Sequence, residues 1–273
     1  MPELPEAYTI ACDLHGRLVG LRIERVCVVR GDVIRRGRSY IHNDLPGRVV
    51  RDVRAYGKIV CIGLDGGRWI VVRLGMTGQL YTAAASDPLA PHTHLVLTFH
   101  GSDDSLRFRD VRRFGGVLLE RGASPDRLPT CRDLGPDAMT IDRAAFVARV
   151  RRSRSRIKPL LLNQKAVAGL GNIYVDESLH AARIHPLARA CDLSKRKVGT
   201  LFDAMRAVLT HAIECGGSSI SDHRRGDGTL GYFQIHHQVY GKTDRPCPRC
   251  GRPIERLVVG GRSTHVCGGC QKL

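Results

Sequence analysis

Two pairs of cysteines, Cys247-x-x-Cys250 and Cys267-x-x-Cys270, stand sixteen residues apart near the end of this 273-residue chain. That interval matches a tetrahedral four-thiolate zinc site, which locks a segment too short to have a core of its own. One structural Zn2+ ion held by Cys247, Cys250, Cys267 and Cys270 is therefore expected, against a chance pairing or a redox motif. Between the pairs, Leu257-Val258-Val259 meets Gly260-Gly261 and then Arg262, which reads as a hairpin with an arginine just past its tip. His236, His237 and His265 read as ordinary surface histidines, because four cysteines already complete the shell.

The opposite end carries a different chemistry. Met1 precedes Pro2-Glu3-Leu4-Pro5-Glu6, and an initiator methionine before proline is normally trimmed. Pro2 would then be a terminal secondary amine, titrating near about 7.7–8.0 and so partly neutral and nucleophilic at cellular pH. Attack on a sugar C1′ by such an amine collapses only to a charged iminium, an electron sink. Glu3 and Glu6 share one face if a helix starts here, and an amine with paired carboxyls can supply covalent and acid/base catalysis. The same residues can also be an unremarkable helix start.

Charge narrows the partner. The chain holds 43 Lys+Arg against 26 Asp+Glu, a formal net charge of +17. Such an excess points to a polyanion, and phosphate neutralisation is the main sequence-independent source of nucleic-acid affinity; the alternative is a solvated basic surface. Cys12, Cys27, Cys61, Cys131, Cys191 and Cys215 are scattered singly and read as reduced core thiols of an intracellular protein. No basic segment leads into an apolar run at the start, and no stretch approaches the roughly 20 apolar residues of a membrane span. The expectation is a cytoplasmic, nucleoid-associated monomer with no membrane partner.

Residues 4 to about 18 show helical period, with Ala7, Ala11, Leu14 and Leu18 on one stripe. From 21 to 120 the pattern is β: runs at 21–30, 49–56, 59–64, 69–74, 95–99 and 117–119, with Asp65-Gly66-Gly67 as a hairpin turn. Many short strands with Gly/Asp turns predict a β-sandwich. Lys58, after Gly57, can point at a phosphate or cap a sheet edge. Met76 on a Gly-flanked turn, and Arg112, Arg113 and Phe114 before Gly115-Gly116, can be wedges and cations that kink a duplex, or core residues beside surface arginines. A Pro/Gly-rich linker follows at 121–140. Helices are then expected from Asp142 as N-cap, over 157–165, from Asn172 to 179, and from Lys195 to 215 after Ser194. The Gly169-Leu170-Gly171 turn before Asn172 can receive an anion or be an ordinary helical hairpin. The polar stretch 218–232 reads as a lid or a mobile connector. The fold class is thus α+β multidomain: residues 1–120 a catalytic β-sandwich with its N-terminal helix, 121–140 the linker, 141–235 helical with a loop at 217–233, and 236–273 a zinc finger.

In combination these motifs resemble the formamidopyrimidine-DNA glycosylase family nearly end to end. The resemblance rests on Pro2-Glu3-Leu4-Pro5-Glu6, Leu74-Gly75-Met76, Arg112-Arg113-Phe114-Gly115, Gly169 to Tyr174, and Gly261-Arg262-Ser263-Thr264-His265. Leu4 and the segments Gly217-Ser218-Ser219 and Leu230-Gly231-Tyr232-Phe233 favour the oxidised-purine group over the sister endonuclease VIII group. The resemblance implies a helix–two-turn–helix domain and damaged duplex DNA held in a cleft between the two halves. Pro2 becomes the nucleophile on C1′, Glu3 the acid assisting ring opening, Glu6 an active-site carboxylate, and Lys58 a phosphate-gripping site residue. Asn172, Tyr240, Arg262, Arg113 and Arg73 would contact DNA phosphates, while Met76, Arg112 and Phe114 fill the gap left by the extruded base. Activity would be release of 8-oxoguanine and formamidopyrimidines with β,δ-elimination. Alternatives are the same scaffold acting on oxidised pyrimidines or abasic sites, or a non-catalytic zinc protein binding damaged DNA. Departures from the family pattern are Ala7-Tyr8 for Val-Glu, Arg73 for His, and Val111 for Pro.

Overall fold

The computed structural model describes residues 2–219 and 224–273, folded as two compact units. The first unit comprises residues 2–133 and 215–234, the second 134–214 and 235–273. The segment expected as the helical domain's loop thus belongs to the first unit, and the helices and zinc finger form one body. No helix among the described residues is long and apolar enough to cross a membrane.

The first unit opens with α1 (Leu4–Leu18), followed by β1 (Ile23–Val28), β2 (Ile34–Arg36), the short α2 (Ile41–Asp44), β3 (Val50–Tyr56), β4 (Ile59–Leu64), β5 (Arg68–Arg73), β6 (Gly78–Ala84), β7 (Thr93–Phe99), β8 (Asp104–Asp110) and β9 (Gly116–Arg121). Two sheets result, ordered β1-β7-β8-β6 and β2-β9-β5-β4-β3. All pairings are antiparallel except β2 with β9. Burial explains why sequence reading found some strands and missed others. β4 is buried at every position, so it reads as an apolar run. β6 and β8 carry Gln79, Thr82, Ser105, Arg107 and Asp110, all buried, and their polar content conceals them. α1 lays Ala7, Ile10, Ala11, Leu14 and Leu18 into the core and packs on β3 and β4. Its start is thereby held on the sandwich.

The expected linker is partly interior. Leu128, Cys131 and Ala138 are almost wholly buried, and the boundary between the units falls after Asp133. The isolated cysteines divide: Cys61, Cys131 and Cys215 are buried, whereas Cys12 and Cys27 lie on outward faces of α1 and β1 and are exposed, contrary to the core expectation.

The second unit contains α3 (Arg143–Arg151), α4 (Ile157–Leu162), α5 (Asn172–Ala181), α6 (Lys195–Glu214) and the hairpin β10 (Glu255–Val259) and β11 (Arg262–Val266). Asp142 caps α3, its Oδ1 accepting the Ala145 N–H at 2.8 Å, and Ser194 Oγ accepts from Lys197 N at the start of α6. α4 ends three residues earlier than its period suggests. Gln164 does not continue it; its amide group bonds to the Leu162 and Leu170 carbonyls and the Gly169 N–H, closing the glycine turn. α5 is buried from Ile173 through His180, an arrangement that forces every polar group on it to find a partner.

Candidate active site and nucleic-acid contacts

Pro2, Glu3 and Glu6 are all buried at the head of α1. The Glu3 N–H donates to Glu6 Oε2 at 2.7 Å, fixing the backbone directly after Pro2. The other oxygen, Glu6 Oε1, accepts the Ser218 N–H, also at 2.7 Å. Glu6 therefore ties the chain start to the loop that begins after α6. Gly217 is at φ 80, and a Cβ there would lie 2.9 Å from Glu6 Oε1, so the approach requires glycine on both counts. Ser219 and Gly231 continue the tie, the Gly231 N–H donating to Ser219 Oγ at 2.9 Å. Of the expected lesion loop, residues 220–223 lie outside the described residues, as does Met1. Tyr8 is 38% exposed on the outer side of α1 and does not share the buried face of Glu3 and Glu6. Lys58 sits half-buried in the tight turn joining β3 and β4.

Two loops of the same unit bring the expected wedges together. Arg73 ends β5 exposed, and the turn Leu74–Thr77 follows. Gly75, at φ 63, passes so near the second loop that a Cβ would meet Gly115 N at 2.5 Å. Arg112 Nη1 lies 3.3 Å from Met76 Sδ, and its guanidinium stacks 4.5 Å over the Phe114 ring. Met76 is 41% exposed and Phe114 60%, large apolar groups presented to solvent with a cation between them. Arg113 turns away with φ 53 and pairs with Asp32.

Beneath this cluster lies Asp110, fully buried at the end of β8. Its Oδ1 accepts the Thr77 hydroxyl at 2.6 Å and its Oδ2 the Gly115 N–H at 2.8 Å. The Thr77 Oγ accepts in turn from the Arg112 N–H at 3.1 Å. One carboxylate thus joins both wedge loops, a role sequence reading missed. Its only signal is an acid at the end of a strand immediately before the arginine loop.

In the second unit, Asn172 Nδ2 donates to the Ser263 carbonyl at 2.8 Å, placing the head of α5 beside the residue after Arg262. The Asn172 Oδ1 is buried and has no hydrogen-bond partner among the described residues. Arg262 is exposed at the first position of β11. The Tyr240 ring meets the His265 ring at 5.0 Å and the His237 ring at 5.6 Å. His265 and His237 are 7% and 4% exposed, so the surface expectation fails for both. His265 is drawn inward by Asp176, whose Oδ2 accepts its N–H and lies 3.0 Å from Nδ1. Burial, reinforced by Lys242, pushes His237 down to about 4, so its ring is neutral near pH 7.

The four cysteines converge. All four sulfurs lie within 4.8 Å of one another, with Cys247–Cys270 at 3.9 Å and Cys250–Cys267 at 3.4 Å. A tetrahedron with Zn–S of about 2.3 Å has edges near about 3.8 Å, so the set fits zinc. The thiols also need a cation to ionise together. The Arg252 backbone N–H and the Cys267 thiol pull Cys250 down to about 7, while burial and the neighbouring thiols push Cys270 up to about 12. His180 Nε2 lies 3.4 Å from Cys247 Sγ, the kind of N–H contact that orients a ligand from behind.

Comparison with known proteins agrees along the whole chain. The models of the formamidopyrimidine-DNA glycosylase N-terminal domain, its H2TH domain, and the zinc finger found in FPG and IleRS match residues 1–117, 134–224 and 245–273. The formamidopyrimidine-DNA glycosylase of Solibacter usitatus is 41% identical over 100% of both chains, and that of Desulforamulus reducens 40% identical over 100% of this chain and 99% of its own. A crystal structure of wild-type Lactococcus lactis Fpg (MutM) with DNA containing N7-benzyl-Fapy-dG superposes with a TM-score of 0.90 at 35% identity, all of each chain covered. MutM in complex with carbocyclic 8-oxo-G DNA gives 0.89, also at 35% and full coverage. Three domain models in order and relatives near 40% identity over full length leave one assignment: the chain belongs to the formamidopyrimidine-DNA glycosylase family.

Proposed function

We propose that this enzyme excises oxidised purines, 8-oxoguanine and formamidopyrimidines, from duplex DNA and then cleaves the abasic strand, with Pro2 as nucleophile after loss of Met1. The observation that carries the residue assignment is the Glu3 N–H···Glu6 Oε2 contact, which holds the backbone next to Pro2 in one place. A fixed amine is what attack at C1′ demands. The amine nitrogen bonds to C1′, the N-glycosidic bond breaks, and the base leaves with a proton. Glu3 protonates the ring oxygen as the sugar opens to an iminium. The iminium acidifies C2′: loss of that proton expels the 3′ phosphate oxygen, and a second elimination expels the 5′ oxygen. Water then hydrolyses the imine and restores the amine. No external cofactor is consumed.

Extruding a base costs a few kcal/mol, less when it is damaged. Met76, Arg112 and Phe114 offset that cost by filling the stack, and Lys58, Arg73, Arg113, Asn172, Tyr240 and Arg262 hold phosphates. For Arg113 this requires exchange of Asp32 for a phosphate. Zinc is structural, and its residues carry no step. Glu6, with each oxygen already accepting a backbone N–H, acts by holding the terminus and Ser218. Chromosomal DNA as substrate puts the enzyme in the cytoplasm on the nucleoid.

Borohydride trapping on a duplex with 8-oxoguanine opposite cytosine, followed by mass analysis, tests the reading. An adduct on Pro2 is expected. An adduct at a lysine, or trapping undiminished in Pro2→Gly, would refute Pro2 as nucleophile. A shifted lesion range is favoured by one observation, the exposed Tyr8 where the family usually carries a carboxylate. Base release confined to oxidised pyrimidines would establish it.

A further inference from the structure

α5 begins with Asn172 and carries two consecutive buried carboxylates, Asp176 at 1% and Glu177 at 3% exposure. They point to different segments. Asp176 Oδ1 accepts from Lys158 Nζ at 2.6 Å, and the same ammonium donates to the Ser263 carbonyl at 3.0 Å. Asp176 Oδ2 accepts the His265 N–H at 2.9 Å. The strand that starts with Arg262 is thus bound at Ser263 and His265 to one buried ion pair. Glu177 Oε1 accepts the N–H groups of Val239 and Tyr240 at 3.0 and 2.8 Å, and Oε2 that of Gln238 at 2.9 Å. The segment carrying Tyr240 has no helix or strand of its own, and these three bonds fix it to α5.

A buried ion pair contributes little net stability over a well-packed apolar pair, so its presence calls for a purpose other than folding energy. We propose that Asp176 and Glu177 are positioning residues through which α5 sets Arg262 and Tyr240 in register with its own Asn172. The inference rests on those three residues being phosphate contacts. Phosphates along one strand have fixed spacing, so groups on three separate segments bind them together only if a rigid element fixes their separation. Lys158 serves the same assembly by neutralising Asp176 and reaching Ser263. Among the described residues, every hydrogen bond to either carboxylate ends on the hairpin, on the Tyr240 segment or on Lys158.

The test uses the zinc-loaded full chain and a stable tetrahydrofuran abasic-site duplex. Asp176→Asn keeps the volume but leaves Lys158 without its counter-ion. The Lys158→Met/Asp176→Leu pair therefore accompanies it, removing both anchors without stranding a buried charge. Zinc content should stay at one per chain in both. Affinity should fall about ten- to hundredfold, the worth of one hydrogen bond to a charged group, and the salt dependence should lose about one phosphate contact. Glu177→Gln places an amide N–H2 against one of its three backbone donors and should weaken binding similarly. Positioning is separated from general loosening by combination: Asp176→Asn added to Arg262→Ala, and Glu177→Gln added to Tyr240→Phe, should cost nothing further. Additive losses, or an unchanged salt slope in Asp176→Asn, would overturn the proposal. An Arg262→Ala variant that binds and responds to salt like the parent would overturn the phosphate reading beneath it instead.

Discussion

Replacing Asp110 by Asn changes one oxygen into an N–H2 group and tests whether the wedge is preorganised. Asp110 is fully buried and accepts two hydrogen bonds, from the Thr77 hydroxyl at 2.6 Å and the Gly115 N–H at 2.8 Å. A hydrogen bond to a charged group contributes about 1.5–3 kcal/mol, and a buried donor left unpaired costs about 1–3 kcal/mol. Asn can keep Thr77 on its carbonyl but then presents N–H to the N–H of Gly115. The loss is therefore about 3–5 kcal/mol, divided between folding stability and the ordering of the two loops. Chemical denaturation reads the first part. The second should appear only where a base must be extruded, since the role proposed for Met76, Arg112 and Phe114 is on the stack and not on the sugar. If half of the loss falls there, about 1.5–2.5 kcal/mol, kcat/KM on a lesion duplex drops about tenfold to seventyfold, at about 1.36 kcal/mol per factor of ten. On an abasic site in single-stranded DNA, where nothing needs extruding, the drop should stay below about fivefold. Equal losses on both substrates would refute the assignment of Asp110 to the wedge. So would an unaffected duplex rate in a protein measurably less stable.

Other perturbations follow from the same contacts. Glu6→Gln should uncouple either Glu3 N or Ser218 N, lowering the single-turnover rate of base release more than DNA affinity; an affinity loss with unchanged chemistry would contradict the positioning of Pro2. Zinc removal should unfold the hairpin, because among the described residues the apolar cluster around the cysteines adds just Val239 and Ile254. DNA binding should then fall while circular dichroism of the sandwich persists, and metal-free protein with full affinity would exclude a role for the finger in holding DNA. His237 is pushed down to about 4 by burial, so between pH 6.5 and about 4 the unfolded chain binds a proton that the folded chain refuses. Stability should fall with pH across that window by about 3 kcal/mol at most. His237→Gln should flatten part of the acid limb in urea titrations, and an unchanged limb would dismiss His237 as its source.

The parts of the fold legible in the sequence are those whose physics is local. α1, the Asp142 and Ser194 caps, the Asp65-Gly66-Gly67 turn and the four-cysteine site each declare themselves within a few residues. The strand β4 is legible because burial on both faces writes an unbroken apolar run. β8 is not: Arg107 is buried, yet its guanidinium finds Ser105 Oγ beside it in the strand and three carbonyls, of Ala84, Asp87 and Pro88, from a stretch well before β8. Partners that arrive from elsewhere leave no pattern in the strand itself. His265 was misread for the same reason, since its burial depends on Asp176, eighty-nine residues earlier.

The proposed contact residues lie on turns and loops or at the ends of strands and helices, and the groups that hold several of them are carboxylates on rigid elements. Glu6 on α1, Asp110 at the end of β8, and Asp176 and Glu177 on α5 each accept at least one backbone N–H from a segment that bears an expected site residue. Apolar packing fixes how deep a loop sits but hardly its rotation, whereas two oxygens accepting from two separate donors fix both. In a chain with a net charge of +17, a buried carboxylate has a second use. Once its oxygens are filled by backbone donors, it repels the phosphates that arginines attract less than a bare carboxylate would, because the dipoles around it screen its charge. The surface can then stay basic while the scaffold is held by acids. This division explains why the cations were readable as candidates from their loops and, Glu6 apart, the acids that aim them were not.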